Sequence, residues 1–223
     1  MESISLRAPA KVNLRLDILG KRPDGYHEIK TWIYPISLAD ELHIERVKTA
    51  RITVSSASPG LPLGEENLAY RAAALFIKER GLSEGVRIEI IKHIPVAAGL
   101  GGGSSDAATV LKAMNILWGK NIPCEGLMEL GARIGADCPF FVVGKAAIMG
   151  GKGERVLAIL PQLKAWMVLI NPGHPLSTKQ VYEQGKWGLT KPGGDTKISM
   201  PPQDLEKMGK FLRNDLEGPA MEL

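Results

Sequence analysis

Apolar and polar residues alternate along the first part of the chain, as they do in a β-strand with one buried face. Every second position of the segment 12–18 is apolar, whereas Lys11 and Asn13 fall on the polar face. Short turn-like segments separate the patterns that follow, so we expect an antiparallel sheet. Apart from this first strand, the predicted strands are 29–38, 42–47, 51–55, 86–91, 140–149, 155–159 and 166–170.

A second pattern, with apolar residues three and four positions apart, predicts helices. The strongest instance begins at Ala107 and continues through Val110, Leu111 and Met114 to Leu117. Weaker instances predict helices over 67–79, 127–134, 177–184 and 204–212. Strands and helices in this order indicate an α+β protein.

A glycine-rich segment joins the strand 86–91 to the strongest helix. It runs from Pro95 to Ser105 and contains four glycines. Glycine adopts positive φ and lets the backbone approach a ligand closely, so successive N–H groups can point at phosphate oxygens. Ser104 or Ser105 is expected to cap the helix, whose positive dipole end favours an anion. The segment therefore predicts a phosphate-binding loop.

Two well-known phosphate motifs do not match this loop. A Rossmann fingerprint would need glycine at Ser104, and a Walker A loop would need lysine in the run Gly103-Ser104-Ser105. The loop thus lacks its own lysine, and a compensating cation must come from elsewhere in the fold or from a metal ion. The alternative is a flexible Gly/Ser linker, which rarely runs directly into a strongly periodic helix.

Composition narrows the class of protein further. The 223 residues carry a formal charge of +4 with a pI near 9.0, which suits an anionic small molecule and leaves nucleic acid open. No apolar run is long enough for a membrane span, and the first residues do not read as a signal peptide. Cys124 and Cys138 form neither a disulfide framework nor a CxxC pattern. We therefore expect a cytoplasmic protein without a membrane partner.

Four motifs in one order carry a resemblance to a known family. The run from Pro95 to Ala108 resembles the second signature of the GHMP kinases, which phosphorylate small molecules. The segments APAKVNL at 8–14, RPDGYH at 22–27 and GADCP at 135–139 resemble one branch of that superfamily, which acts in non-mevalonate isoprenoid biosynthesis. The resemblance extends from residue 8 to about residue 217.

The resemblance implies a fold and a reaction. The fold would comprise an N-terminal ribosomal-protein-S5-like domain over 1–152 and an incomplete ferredoxin-like domain over 153–223, with the active site in the cleft between them. The reaction would transfer the γ-phosphoryl group of ATP to the 2-hydroxyl of 4-diphosphocytidyl-2-C-methyl-D-erythritol, a cytidine diphosphate ester, with Mg²⁺ neutralising phosphate charge. The implied partners are these small molecules, and nucleic acid is not expected.

The resemblance also implies roles for particular residues. Lys11 would offer a cation to the developing phosphoryl charge, and Asp137 would accept the proton of the hydroxyl. Asn67 and Lys92 would lie near the nucleotide. ATP phosphates would be held by Pro95, Val96, Ala97, Ala98, Gly99, Leu100, Gly101, Gly102, Gly103, Ser104 and Ser105. The cytidine substrate would be bound by Asn13, Tyr26, His27, Thr178 and Tyr182, with the two tyrosines on either side of the cytosine.

One expected segment is absent from the sequence. GHMP kinases carry a third glycine-rich signature, and none occurs before Leu223. We therefore expect a C-terminally incomplete kinase, with a catalytically inactive nucleotide-binding remnant and an S5-like RNA-binding protein as the alternatives. Asp137 and Lys11 also have structural interpretations, as a turn residue and a solvated strand lysine, respectively.

Overall fold

The computed structural model of the chain describes residues 2–174, 176–185, 187, 200–202 and 204–223. Its architecture is α+β, as the sequence predicts. The strands are β1 (Ser3–Lys21), β2 (His27–Val47), β3 (Ile52–Ser55), β4 (Gly85–Ile91), β5 (Ala147–Gly150), β6 (Arg155–Ile159) and β7 (Arg213–Asn214). The helices are α1 (Leu68–Arg80), α2 (Gly102–Leu117), α3 (Cys124–Ala132), α4 (Cys138–Val143), α5 (Thr178–Gln184), α6 (Leu205–Gly209) and α7 (Glu217–Met221).

The residues form two compact units that interleave along the chain. Unit 1 comprises Met1–Ala10, Ile36–Val96 and Leu100–Gly144, and unit 2 comprises Lys11–Pro35, Ala97–Gly99 and Lys145–Leu223. Strands β1 and β2 contribute residues to both units. The domain boundary expected after residue 152 stays a prediction.

Unit 1 combines a sheet with four helices. Strand β4 pairs antiparallel with β2 and parallel with β3, so the sheet is mixed rather than antiparallel as expected. Helix α1 packs on β3, β4 and α2, while α4 packs on α2 and α3. The core between these elements contains fully buried side chains such as Phe76, Ile88, Leu111, Met114 and Phe140. This packing fixes the start of α2, where the glycine-rich loop ends.

Unit 2 contains the second part of β1, the first part of β2, and strands β5, β6 and β7. Strand β5 pairs antiparallel with β2 and β6, and β7 pairs parallel with β1. Helix α5 packs against α7. The apolar cluster of unit 2 is formed by Trp32, Tyr34, Ala146, Ile148, Leu160 and Met208.

Several sequence predictions were wrong in instructive ways. The segments 29–38 and 42–47 form the single strand β2, because Asp40 is a buried member of the strand and not a turn residue. Residues 140–143 belong to helix α4, since a short buried apolar run fits a helix as well as a strand. Residues 166–170 lie outside any strand, and within the described residues no neighbouring strand pairs with them. The helix expected over 204–212 is the shorter α6.

Candidate active site

The glycine-rich loop has the backbone conformation that its sequence predicts. Ala97, Gly99 and Gly101 have positive φ angles of 57°, 72° and 72°. A left-handed conformation is costly for most residues and inexpensive for glycine, so the glycines permit these reversals of the chain. The loop therefore leads from β4 into α2 through turns that few other sequences could follow.

The first turn of α2 lacks a side-chain cap. The helix begins at Gly102 with Gly101 as the N-cap, and no side chain accepts a hydrogen bond at this end. The expectation that Ser104 or Ser105 caps the helix was wrong, because both serines lie inside the first turn. The amide of Ser105 donates to the carbonyl of Gly101, which leaves the preceding amides without an intrahelical acceptor. Such amides, together with the helix dipole, suit a phosphate group.

Lys92 supplies a cation directly beside this helix terminus. A Cβ atom placed on Gly102 would lie 3.1 Å from Nζ of Lys92 and 3.1 Å from Cγ2 of Ile94. The ammonium group itself forms salt bridges with the carboxylates of Asp40 and Asp106, the latter at 3.0 Å. All three side chains are more than nine-tenths buried. The role of Lys92 near a nucleotide stays a prediction.

Sequence reasoning missed Asp40 and Asp106. Oδ1 of Asp40 accepts hydrogen bonds from the amides of His93 (2.6 Å) and Ile94 (2.8 Å), just before the loop. The available signal was that Asp40 occupies an inward position in the alternation of β2, where its neighbours two residues away, Leu38 and Leu42, are apolar. An aspartate at such a position must be paired or neutralised.

The carboxyl group of Asp106 has an unusual environment. Burial is the main cause that raises its pKa to about 7, and the nearby carboxylate of Asp40 raises it further. The ammonium of Lys92 opposes both effects. Among the described residues, Oδ1 of Asp106 is buried without a hydrogen-bond partner. The group can therefore change its charge near neutral pH.

Asp137 lies in the loop that leads into α4, close to the start of α2. It is half-buried and occupies the N-cap position of α4, but its side chain does not cap that helix. The neighbouring thiol of Cys138 interacts with the hydroxyl of Ser104, which belongs to the first turn of α2. Burial, with a contribution from the charge of Asp137, raises the pKa of the Cys138 thiol to about 12, so the thiol is an unreactive structural group.

Lys11 is the first member of a polar chain in unit 2. Its ammonium donates to Oδ1 of Asn13 (2.5 Å), and Nδ2 of Asn13 donates to Oγ1 of Thr31 (2.7 Å). The Thr31 hydroxyl donates in turn to the carbonyl of Arg15 (2.7 Å). Lys11 is 9% exposed, so it is not the solvated strand lysine of the structural interpretation. Thr31 was missed, because only the tertiary structure brings its hydroxyl to Asn13.

The aromatic residues expected at the cytidine site fall into two contacts within unit 2. The rings of His27 and Tyr182 stack at 5.0 Å with an interplanar angle of 16°. Tyr26, 55% exposed, lies instead beneath Nζ of Lys152, which is 4.3 Å from its ring centroid. Trp187 meets His27 edge-on at 6.1 Å. Burial, followed by the charge of Lys21, lowers the pKa of His27, which favours the neutral ring.

Hydrogen bonds and salt bridges in the turn before β2 hold Tyr26 in place. Asp24 accepts a hydrogen bond from the amide of Tyr26 at 3.2 Å, and Arg22 bridges Asp24 and Glu28 across the turn. Thr178 is the first residue of α5 and lies one helical turn before Tyr182. Lys152 and Trp187 were missed, because only the tertiary structure brings them to Tyr26 and His27.

Asn67 has a structural role that the sequence did not indicate. It is the N-cap of α1, where its Oδ1 accepts from the amide of Ala69 (2.8 Å) and its Nδ2 donates to the carbonyl of Pro62 (2.7 Å). Asn67→Ala should therefore lower the free energy of unfolding by about 0.5–2 kcal/mol in denaturant titration. Asn67→Asp keeps the capping acceptor and should lose less. Equal losses for the two variants would contradict the capping role, while the affinity for ATP tests the predicted nucleotide contact separately.

Two features bear on metal ions and membranes. Within the described ranges, no three His, Cys, Asp or Glu side chains are grouped as they would be in a protein metal site. Each helix of the part that the structure describes is too short or too polar to cross a bilayer.

Comparisons with known proteins agree with this geometry. The family model "GHMP kinases N terminal domain" matches residues 67–145, which include the glycine-rich loop. The chain is 47% identical to the 4-diphosphocytidyl-2-C-methyl-D-erythritol kinase of Geobacter metallireducens, over 97% of this chain and 76% of that protein. Its identity to the same kinase of Symbiobacterium thermophilum is 43%, over 96% of this chain and 77% of that protein.

Solved structures give the same assignment. A crystal structure of 4-(cytidine 5'-diphospho)-2C-methyl-D-erythritol kinase superposes with a TM-score of 0.74 at 38% identity, covering 98% of this chain and 78% of that one. Homoserine kinase from Cytophaga hutchinsonii, at 18% identity and a TM-score of 0.57 over 82% of this chain and 60% of that one, shares the fold. The chain therefore belongs to the 4-diphosphocytidyl-2-C-methyl-D-erythritol kinase family of the GHMP kinases.

Proposed function

We propose that this protein transfers the γ-phosphoryl group of ATP to the 2-hydroxyl of 4-diphosphocytidyl-2-C-methyl-D-erythritol in isoprenoid biosynthesis. The observation that carries the proposal is the uncapped start of α2, where the amides that follow Gly101 can bind phosphate oxygens. The choice of acceptor rests on the relatives, which are named as kinases of this compound. ADP release that depends on both ATP and this acceptor tests the proposal, since release without the acceptor would indicate only a nucleotidase.

Two residues carry the chemistry in this proposal. Phosphoryl transfer requires mainly positioning and charge stabilisation, and the ammonium of Lys11, oriented by Asn13, offers positive charge to the transferring group. The carboxylate of Asp137 accepts the proton of the attacking hydroxyl. Its side chain does not cap α4.

Mg²⁺ belongs to the proposal as the counter-ion of ATP. Mg²⁺ is usually held by substrate phosphates with one or two carboxylates, and it keeps several water ligands. In this proposal the ion arrives on the nucleotide and is held mainly by its phosphates. When bound, the ion supplies neutralisation of the negative charge that builds up on the phosphates.

The cytidine moiety binds, in this proposal, to the aromatic residues of unit 2. Tyr26 is largely exposed and offers its ring for stacking. Tyr182 is the second aromatic side chain, and in this structure its ring stacks on that of His27. His27, Asn13 and Thr178 supply polar contacts. A cytosine inserted against Tyr182 would replace the imidazole as its stacking partner. ATP and this acceptor are the proposed small-molecule partners, whereas the cytoplasmic location and the lack of a nucleic-acid partner stay predictions.

Tyr26→Ala should weaken binding of the cytidine substrate about 5- to 150-fold, because base–aromatic stacking is worth about 1–3 kcal/mol. The affinity for ATP should hardly change. Calorimetric titration of both ligands measures the two effects. Tyr70→Ala, which removes a half-buried tyrosine from α1 in unit 1, is the matched control and should leave cytidine binding intact. Equal losses of both ligands in Tyr26→Ala would exclude Tyr26 from the cytidine site.

A further inference from the structure

Three buried charged groups lie together at the start of α2. The ammonium of Lys92 is shared by the carboxylates of Asp40, on β2, and Asp106, on α2 itself. With all three ionised, the cluster carries one net negative charge in surroundings from which water is excluded. Two carboxylates that share a single cation cannot both stay ionised without cost, so one of them tends to hold a proton.

The geometry selects Asp106 as the carboxyl group that holds the proton. Asp40 accepts two backbone hydrogen bonds in addition to the salt bridge, so both of its oxygens have partners. Asp106 has one oxygen bonded to Lys92 and the other without a partner among the described residues. Its pKa near 7 agrees with this assignment, and a protonated Asp106 can hydrogen-bond with Asp40.

The position of Asp106 places this charge close to the proposed phosphate site. Asp106 follows Gly102 by four residues, which is one helical turn or about 6 Å along the helix axis. Among the described residues, Lys92 and Asp40 are the charged groups that shift its pKa. The nearby charges of Arg71 and Asp137 act on the thiol of Cys138. An anion bound at the start of α2 is therefore repelled by an ionised Asp106 and tolerated by a neutral one.

We propose that Asp40 and Asp106 are positioning residues that hold the Lys92 ammonium beneath Gly102, and that ATP binding is accompanied by proton uptake at Asp106. The inference rests on the proposed function, because it takes ATP as the ligand of the loop. Linkage is reciprocal, so an anion that raises the proton affinity of Asp106 binds more weakly as the pH rises through neutrality. Lys92 thus supplies the cation that the loop lacks in its own sequence, within a cluster whose net charge depends on pH through Asp106.

The test is calorimetric titration of the protein with Mg²⁺-bound ATP at pH 7.5 in buffers of different ionisation enthalpy. We expect the ionised and neutral forms of Asp106 to differ about tenfold in affinity for ATP, which corresponds to about one pKa unit. The slope of enthalpy against buffer ionisation enthalpy should therefore show uptake of about half a proton. Asp106→Asn should abolish this slope and bind ATP up to about tenfold more tightly than wild type at pH 8.5.

Two further variants separate this role from a merely structural one. Asp40→Asn keeps an oxygen for the amides of His93 and Ile94, lowers the pKa of Asp106 by removing the second carboxylate, and should also abolish proton uptake. Glu41→Gln changes the exposed neighbouring carboxylate and should keep the wild-type slope. ATP binding by the wild type with zero slope, or an unchanged slope in Asp106→Asn, would overturn the inference alone. Failure of the wild type to bind ATP would instead overturn the proposed function.

Discussion

Asp137→Asn should lower kcat about 10²- to 10⁴-fold and leave the affinity for ATP nearly intact. The amide is almost isosteric with the carboxylate but cannot accept the proton of the attacking hydroxyl, and loss of a general base typically costs this factor. The variant should fold, because the side chain of Asp137 is half-buried and does not cap α4. Steady-state kinetics gives kcat, and calorimetric titration gives the dissociation constant of ATP.

A matched control separates the chemistry of Asp137 from its charge. Glu129→Gln removes an exposed carboxylate from α3, elsewhere in unit 1, and should retain wild-type turnover. Near-normal kcat in Asp137→Asn would remove this residue from the mechanism. A lower melting temperature with unchanged kcat would show that Asp137 stabilises the turn before α4 instead.

Gly102→Val should reduce ATP affinity about 10²- to 10⁴-fold, since it removes the space in which a phosphate meets the first amides of α2. The estimate corresponds to the loss of two hydrogen bonds to a charged group, at about 1.5–3 kcal/mol each. The Cβ atom of the new side chain alone would lie 3.1 Å from Nζ of Lys92 and 3.1 Å from Cγ2 of Ile94. Lys92 is held by two carboxylates and cannot easily give way, so the helix start must shift.

Gly103→Ala provides the comparison for this effect. A Cβ atom at Gly103 would meet only Cδ1 of Leu68, at an ordinary 3.6 Å, so this variant should lose much less affinity than Gly102→Val. Both proteins should retain the wild-type circular dichroism spectrum. Wild-type ATP affinity in Gly102→Val would show that the glycine-rich loop does not bind the phosphates of ATP.

The glycine-rich loop shows how far the sequence leads. Its glycines and the periodic helix behind them predicted the strand, loop and helix that the structure contains. The sequence did not show why glycine is required at each individual position. Gly99 and Gly101 are required for positive φ, whereas Gly102 lies in the helix and is required because Lys92 and Ile94 approach it. The backbone pattern is local in sequence, but this crowding depends on residues that precede the loop.

Asp40 and α4 show why other parts were harder to predict. Asp40 resembles a turn residue between two short strands until its partners are known, and Lys92 is 52 residues away along the chain. Residues 140–143 are apolar on every side, so their pattern contains no period that distinguishes a buried helix from a buried strand. The contacts of Tyr26 with Lys152 and of His27 with Tyr182 likewise join distant segments. Only the tertiary structure provides these neighbours.

The central claim is that this protein phosphorylates the 2-hydroxyl of 4-diphosphocytidyl-2-C-methyl-D-erythritol. The most direct measurement is ³¹P NMR of the purified protein incubated with Mg²⁺, ATP and this acceptor. We predict a new phosphomonoester resonance that grows in step with ADP while the cytidine diphosphate signals persist. This resonance should show no three-bond coupling to a proton, because position 2 carries a methyl group and no hydrogen. ADP and inorganic phosphate without a new phosphomonoester, or an unchanged spectrum, would contradict the account.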